Sequence, residues 1–207
     1  MKKLPDYLIE KYSELAPQIR RRLEEFAAIR PEQYFYELCY CICTPQSKAK
    51  NAARVQAYLG NHDFLDRPFD PAPILRSPEN YIRFHNQKSE RLLRARVQYP
   101  EIYQMLTSEF SSLEKRLWLA DNLKGFGMKE ASHFLRNTGH RGLAILDRHV
   151  LKHLVGCGVF REVPNISGRK RYLEVELAFH EFALGVGINV DELDILFWSW
   201  ETGEILK

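Results

Sequence analysis

The sequence lacks several features that are typical of common protein classes. No apolar run approaches the roughly 20 residues that a membrane-spanning helix needs. No apolar stretch follows the two lysines at the amino terminus, which argues against a secretory signal. The net charge of +3 is too small to establish a polyanionic partner by itself. We therefore expect a cytoplasmic protein that is not bound to a membrane.

Cysteine is scarce and poorly spaced for metal binding. Only Cys157 lies in the carboxy-terminal third, which excludes a four-cysteine iron–sulfur cluster there. Cys39, Cys41 and Cys43 alternate, and on a helix such positions lie roughly 200° apart, so the three thiols cannot easily meet at one metal. We interpret them as reduced, buried side chains and expect no metal and no cofactor.

The 207 residues are enough for one domain or for two small ones that share a core. The apolar periodicity is helical nearly throughout, and no strand ladder or internal repeat stands out, so the predicted class is all-α. Four prolines between residues 60 and 80 indicate a loop. The predicted helices span 17–29, 31–43, 47–59 (capped by Ser47), 87–98, 112–121, 128–137, 168–184 and 190–200, and a further helix opens at Asp147.

Basic residues are clustered although the net charge is small. The clusters either form a footprint for phosphates or are solvated helix faces, and the sequence leaves both interpretations open. They comprise Arg20–Arg22, then Lys48, Lys50 and Arg54, then Arg91, Arg94 and Arg96, and finally Arg169–Arg171.

The segment LKGFGMKEASHFLRN, residues 123–137, places two glycines around one aromatic residue between two predicted helices. Gly125 and Gly127 permit positive φ and a close approach of a ligand to the backbone. The helix that follows offers free amides and a positive dipole end, which suit an anion. The segment is either an ordinary turn or a phosphate-binding hairpin.

Lys129 and Asp147 form the most informative pair. Lys129 lies in the first turn of its helix, where a cation opposes the dipole, so we expect part of this amine to be uncharged. Asp147, 18 residues later, lies at a helix start, where a carboxylate is favoured. Taken singly, they are typical of a surface lysine and an N-cap. Together they offer a nucleophilic amine and a permanent anion.

The segment 123–137, followed by LAILDRHVL, resembles the signature of the helix-hairpin-helix DNA glycosylase superfamily. The short chain, ELCYCICTPQS, and the end LDILFWSWETGEILK are similar to the second, archaeal-type family of 8-oxoguanine DNA glycosylase/AP lyases. The resemblance implies a single glycosylase domain over 1–207, with two helical subdomains and the active-site cleft between them. It also implies a hairpin motif at about 112–137 and a catalytic loop and helix at about 143–155.

The resemblance further implies a reaction on double-stranded DNA that contains oxidised guanine. Lys129 would attack C1′ of the flipped-out nucleotide and form a Schiff base, and β-elimination would then nick the strand. Asp147 would stabilise the oxocarbenium charge. The protein is expected to act as a monomer at the nucleoid, without a cofactor.

Further residues take roles only from this resemblance. Phe84 and Trp198 would stack on the base, and the carboxylate of Lys207 would accept a hydrogen bond from N7–H, which guanine lacks. His133 either lines the base pocket or is structural. The implied DNA-binding residues are Gly125, Gly127, Lys124, Gln46, which would fill the gap left by the base, and Arg83, which would contact the opposite base or a phosphate. The segment TPQS departs from the asparagine-containing pattern of many relatives at the gap-filling position.

Two other functions stay open at this point. One is a glycosylase/lyase for another oxidised base, although relatives that act on pyrimidines usually carry the iron–sulfur cysteines missing here. The other is a non-enzymatic helix-hairpin-helix module that only grips the DNA backbone.

Overall fold

A computed structural model describes residues 2–205. Over this range the regular structure consists of α-helices and a short 3-10 helix at Pro31–Gln33, with no strand, which confirms the all-α class. None of these helices is long and apolar enough to cross a bilayer. The helices are α1 (Asp6–Ala27), α2 (Tyr34–Cys43), α3 (Ala49–Asn61), α4 (Ala72–Arg76), α5 (His85–Thr107), α6 (Ser112–Asn122), α7 (Met128–Asn137), α8 (Arg148–Gly156), α9 (Arg169–Val186) and α10 (Val190–Thr202).

The chain divides into two compact units, in agreement with the prediction of two helical subdomains. The middle unit comprises residues 29–138. The flanking unit comprises the described residues before 29 and after 138. Lys129 therefore belongs to the middle unit and Asp147 to the flanking unit.

The middle unit is organised around α2. This helix is apolar on nearly every side, and it packs against α3, α5 and α7. Its three cysteine thiols are buried, as predicted, and α6 packs against α7 to form a pair of helices joined by the glycine-containing turn. A helix that is apolar all round is stable only inside a core, so α2 fixes the positions of the helices around it.

The flanking unit is organised around α10, which packs against α1, α8 and α9. Phe197 of α10 is fully buried, and its ring stacks on His153 of α8 and Phe179 of α9, at centroid distances of 4.8 Å and 5.8 Å. This packing holds α8, the helix that follows Asp147, against α10.

Two helices run through a proline at which the sequence suggested a boundary. The helix predicted to begin at Pro17 begins at Asp6, and α5, predicted to end near residue 98, continues past Pro100 to Thr107. An internal proline costs about 3 kcal/mol or more. Buried apolar residues on both sides, from Leu8 to Phe26 in α1, offset that cost and keep each helix continuous.

Candidate active site

The predicted hairpin forms between α6 and α7. The Phe126 amide donates to the Leu123 carbonyl at 3.0 Å, which closes a tight turn. The Phe126 ring is buried and meets Phe134 of α7 edge-on, with 6.4 Å between centroids. Lys124 and Gly125 are exposed. The turn thus anchors its apolar residues in the core and leaves its glycine-containing backbone at the surface.

The two glycines of the hairpin serve different purposes. Gly125 has φ +89°, in the left-handed region that glycine adopts readily, and a side chain there would overlap the Arg91 guanidinium. Gly127 has φ −112° and ψ −171°, an extended conformation open to any residue. Only Gly125 therefore uses a positive φ. Gly127 is the N-cap of α7 and has the extended backbone that is common at this position. The Gly127 amide donates to Glu130 Oε2 at 3.2 Å.

Lys129 lies in the first turn of α7, as predicted. Its side chain is 34% exposed, and Nζ forms an ion pair with Glu130 Oε1 at 3.0 Å. One turn further along α7, the half-buried His133 ring meets Tyr40 edge-on, with centroids 5.8 Å apart. The amine can therefore be reached from solvent.

Gln46 and Phe84, both predicted to bind DNA, occupy strained backbone positions of the middle unit. Gln46 has φ +57° and Phe84 has φ +59°, values that cost non-glycine residues of the order of 1–2 kcal/mol. Phe84 is 45% exposed, and the Arg83 guanidinium lies over its ring at 4.9 Å from the centroid. Strain of this kind persists only where the surrounding structure enforces it, and it is concentrated at functional sites.

Ser47 does not cap α3, contrary to the sequence prediction. The helix begins at Ala49 with Lys48 at the cap position. Ser47 Oγ instead accepts hydrogen bonds from the Arg83 amide at 3.0 Å and from Lys88 Nζ at 3.2 Å. A long-range interaction therefore outcompetes the local capping bond.

Lys88 is a buried residue that the sequence analysis missed. Its spacing in the sequence was the signal that this lysine is buried. Lys88 lies one helical turn before Leu92, and the same buried face of α5 continues through Ala95 and Tyr99. A lysine in an apolar stripe must have partners for its ammonium group.

Asp147 caps α8 in the flanking unit, as predicted. Its Oδ1 accepts hydrogen bonds from the His149 amide at 2.8 Å and the Val150 amide at 2.9 Å. The side chain is half-buried. Because both bonds use one oxygen, capping leaves Oδ2 to interact with another group.

The segment leading to Asp147, residues 143–146, is buried although it belongs to no helix or sheet. Its amides, with that of Gly142, are hydrogen-bonded mainly by a carboxylate cluster consisting of Glu176, Asp191 and Asp194. The bonds are Gly142 N to Asp191 Oδ2 at 3.0 Å, Ala144 N to Glu176 Oε1 at 2.9 Å, Ile145 N to Asp194 Oδ2 at 2.9 Å, and Leu146 N to the Tyr172 hydroxyl at 3.2 Å. No local pattern in the sequence indicates this cluster, which fixes the backbone immediately before Asp147.

Two predicted base-contacting residues lie at the carboxy-terminal end. Trp198 is half-buried on α10, in the flanking unit. Lys207 lies outside the described residues, so its contact with the base remains a prediction from the sequence.

Comparison with known proteins gives one consistent result. A family model described as 8-oxoguanine DNA glycosylase matches residues 19–188. The chain is 39% identical to an 8-oxoguanine DNA glycosylase/AP lyase of Fusobacterium nucleatum, over 96% of both chains. Its fold is similar to the crystal structure of Methanocaldococcus jannaschii 8-oxoguanine glycosylase/lyase in complex with a 15mer DNA containing 8-oxoguanine, with a TM-score of 0.85, 33% identity, and coverage of 97% of this chain and 100% of that one. The 8-oxoguanine DNA glycosylase of Thermotoga maritima gives a TM-score of 0.85 at 31% identity, with 97% of each chain covered.

The carboxylate cluster predicts a specific loss of stability. Asp194→Ala should lower the free energy of unfolding by about 2–3 kcal/mol, because it leaves the buried Ile145 amide without its acceptor. Asp194→Asn keeps an acceptor oxygen and should lose less. Glu181→Ala, at an exposed position of α9, should change stability by less than about 0.5 kcal/mol. Urea denaturation provides the comparison, and equal losses for Asp194→Ala and Glu181→Ala would contradict the assigned role of the cluster.

Proposed function

Because this chain belongs to the 8-oxoguanine DNA glycosylase family, we propose that it excises 8-oxoguanine from double-stranded DNA and then cleaves the strand at the abasic site. The observation that carries this proposal is the solvent-accessible Lys129 amine at the start of α7, directly after the hairpin. A glycosylase without lyase activity has no need of an amine there. We expect a monomer that acts at the nucleoid, where its substrate is.

Lys129 acts as the nucleophile of this reaction. Its ammonium group must first leave Glu130 and lose a proton, and a partly exposed ion pair of this kind contributes only about 0–1 kcal/mol. Nζ then attacks C1′ of the extruded nucleotide, and the bond from C1′ to the base breaks as the base takes up a proton. Opening of the sugar ring yields an imine between Nζ and C1′.

The imine accounts for the second activity. It acidifies the protons on C2′, so a base can remove one of them. The electron pair of that C–H bond then forms a double bond between C2′ and C3′, and the 3′ phosphate leaves. Hydrolysis of the imine releases Lys129. Excision and strand cleavage therefore use the same lysine in sequence.

Asp147 acts as the anionic partner. As the leaving base departs, positive charge develops on the sugar, and an ionised carboxylate stabilises it. The cap bonds hold the carboxylate through Oδ1, so the group is oriented before substrate binds. A pre-oriented charge requires little reorganisation during the reaction.

The remaining predicted residues bind the DNA and the base. Phe84 offers an exposed ring for stacking, Gln46 is exposed at a loop tip, and Arg83 adds a cation beside the ring. Trp198, His133 and Lys207 keep the base-recognition roles that the family resemblance implies. The hairpin, with Lys124, Gly125 and Gly127, would hold a backbone phosphate at the amino-terminal end of α7.

The nucleophile is tested by borohydride trapping on a duplex with 8-oxoguanine opposite cytosine. Wild-type protein should form a covalent adduct with the DNA, because borohydride reduces the imine to a stable amine. Lys129→Gln should form no adduct and should bind the duplex nearly as tightly as wild type. Lys124→Gln is the matched control on the exposed part of the same hairpin. This variant should still be trapped, and the slope of log binding constant against log salt concentration should fall by about 1, the amount expected for one lost phosphate contact. An adduct with Lys129→Gln would remove this residue as the nucleophile.

The two hairpin glycines predict opposite outcomes when each is replaced by alanine. Gly125→Ala should lower stability by about 1–2 kcal/mol because of its positive φ. Gly127→Ala should leave stability within about 0.5 kcal/mol, since its φ suits alanine. It should nevertheless weaken duplex binding, because the added methyl group occupies the space that a phosphate needs. Thermal denaturation and fluorescence anisotropy measure the two effects, and full affinity in Gly127→Ala would argue against a phosphate at this turn.

Substrate choice is tested by side-by-side excision. Duplexes with 8-oxoguanine opposite cytosine and thymine glycol opposite adenine should give fast excision of the purine and little excision of the pyrimidine. Faster removal of thymine glycol would assign the enzyme to another oxidised base. Binding of both duplexes without excision or trapping would indicate a module that only grips DNA.

A further inference from the structure

Lys88 is a buried cation at the first turn of α5, with only 2% of its surface exposed. Its ammonium group has three donors, and the structure supplies three acceptors. Nζ donates to the Cys43 carbonyl at 2.8 Å, to the Pro45 carbonyl at 2.6 Å and to Ser47 Oγ at 3.2 Å. Cys43 is the last residue of α2, and Pro45 and Ser47 lie in the loop from α2 to α3, so this loop and the helix end before it depend on one side chain from α5.

The same residue connects this loop to the segment that carries Phe84. The Lys88 amide donates to the Phe84 carbonyl at 3.0 Å, which is the first backbone bond of α5. Ser47 Oγ, held by Lys88, accepts a hydrogen bond from the Arg83 amide at 3.0 Å. A continuous set of bonds thus runs from the loop, through Lys88 and Ser47, to the residues before α5.

The two connected segments are also the strained ones. Among the described residues, three that are not glycine have positive φ, and two of them are Gln46 and Phe84. Gln46 lies between the Pro45 and Ser47 acceptors, and Phe84 lies next to Arg83. Backbone held in such conformations relaxes unless its neighbours restrain it. The bonds of Lys88 provide that restraint on both segments.

Burial of Lys88 is unfavourable in itself. Desolvation, together with the smaller effect of the nearby charges of Arg91 and Lys129, lowers the pKa of this lysine to about 8. A hydrophobic residue of similar size would fill the same volume without the cost of desolvating a charge. Packing alone therefore does not explain a lysine at this position, whereas the three acceptors do.

We propose that Lys88 is a positioning residue for base recognition, which holds Gln46 in the conformation that fills the gap left by the extruded base and Phe84 in the conformation that stacks on that base. This inference rests on the proposed function. Lys88 lies outside both the hairpin and the catalytic pair. Its proposed role is to hold the two DNA-contacting segments in fixed positions relative to each other. Misplacement of a contacting group by about 1 Å can slow a reaction by about 100-fold.

A positioning role and a merely structural role differ in their effect on two substrates. Excision of 8-oxoguanine requires that the base be extruded and stacked. A preformed abasic site has no base to recognise, so imine formation there depends on Lys129 and much less on Phe84. Loss of positioning should therefore lower excision more than it lowers cleavage at an abasic site. General destabilisation should lower both rates by the same factor.

The experiment compares Lys88→Met and Ser47→Ala with a matched control. Lys88→Met removes the ammonium group but keeps a long, flexible side chain. Ser47→Ala removes one acceptor and the bond to the Arg83 amide, and it is mild enough to fold if Lys88→Met does not. The control is Lys115→Met, because Lys115 is also in the middle unit, is 6% exposed and donates to the Leu106 carbonyl at 2.8 Å. Single-turnover rates are measured on an 8-oxoguanine:cytosine duplex and on a duplex with a preformed abasic site.

We expect Lys88→Met to lower the ratio of excision to abasic-site cleavage by about 10- to 100-fold, and Ser47→Ala to lower it less. Lys115→Met should leave this ratio unchanged even if its melting temperature falls. An unchanged ratio in both Lys88→Met and Ser47→Ala, or an equal fall in Lys115→Met, would overturn the proposal. Failure of wild-type protein to excise 8-oxoguanine or to be trapped would instead overturn the proposed function, so the two failures are distinguishable.

Discussion

Irregular backbone that is buried needs hydrogen-bond partners, and this requirement governs the segments that carry the candidate functional residues. Residues 143–146 have no neighbouring strand, so the carboxylate cluster and Tyr172 bind their amides instead. The end of α2 and the loop that follows it likewise use the Lys88 ammonium group for the Cys43 and Pro45 carbonyls. An unpaired amide or carbonyl in such a place costs about 1–3 kcal/mol. Charged side chains from distant helices therefore determine where the loop with Gln46 and the segment before Asp147 lie.

The proposed reacting groups and the proposed DNA-contacting residues lie on different kinds of backbone. Lys129 lies on a regular helix, whose start is defined by the closed turn between Leu123 and Phe126. Asp147 lies at a helix start that is fixed by its own cap bonds and by the bonded segment before it. Reacting groups on rigid elements are held more precisely than groups on loops. Gln46 and Phe84 lie on irregular backbone, and they are also the residues whose conformation must be enforced by others.

Local signals in the sequence were enough to predict part of this arrangement. The hairpin glycines and the cap at Asp147 act over a few residues, and α7 and the start of α8 lie where these signals predict them. Two proline positions were misleading, because long buried stripes override a local break. The bonds from the carboxylate cluster to the segment at 142–145 join residues 32 to 49 positions apart, and those of Lys88 span 41 to 45 positions. Nothing in a local pattern encodes such pairs.

The central claim is that the Lys129 amine becomes covalently bound to C1′ of the damaged nucleotide. Its most direct test is peptide mapping by mass spectrometry of the borohydride-reduced complex with 8-oxoguanine DNA. The account predicts that the peptide containing Lys129 carries the mass of the reduced sugar fragment. An adduct on another lysine, such as Lys124 of the same hairpin, or on the amino terminus would contradict it.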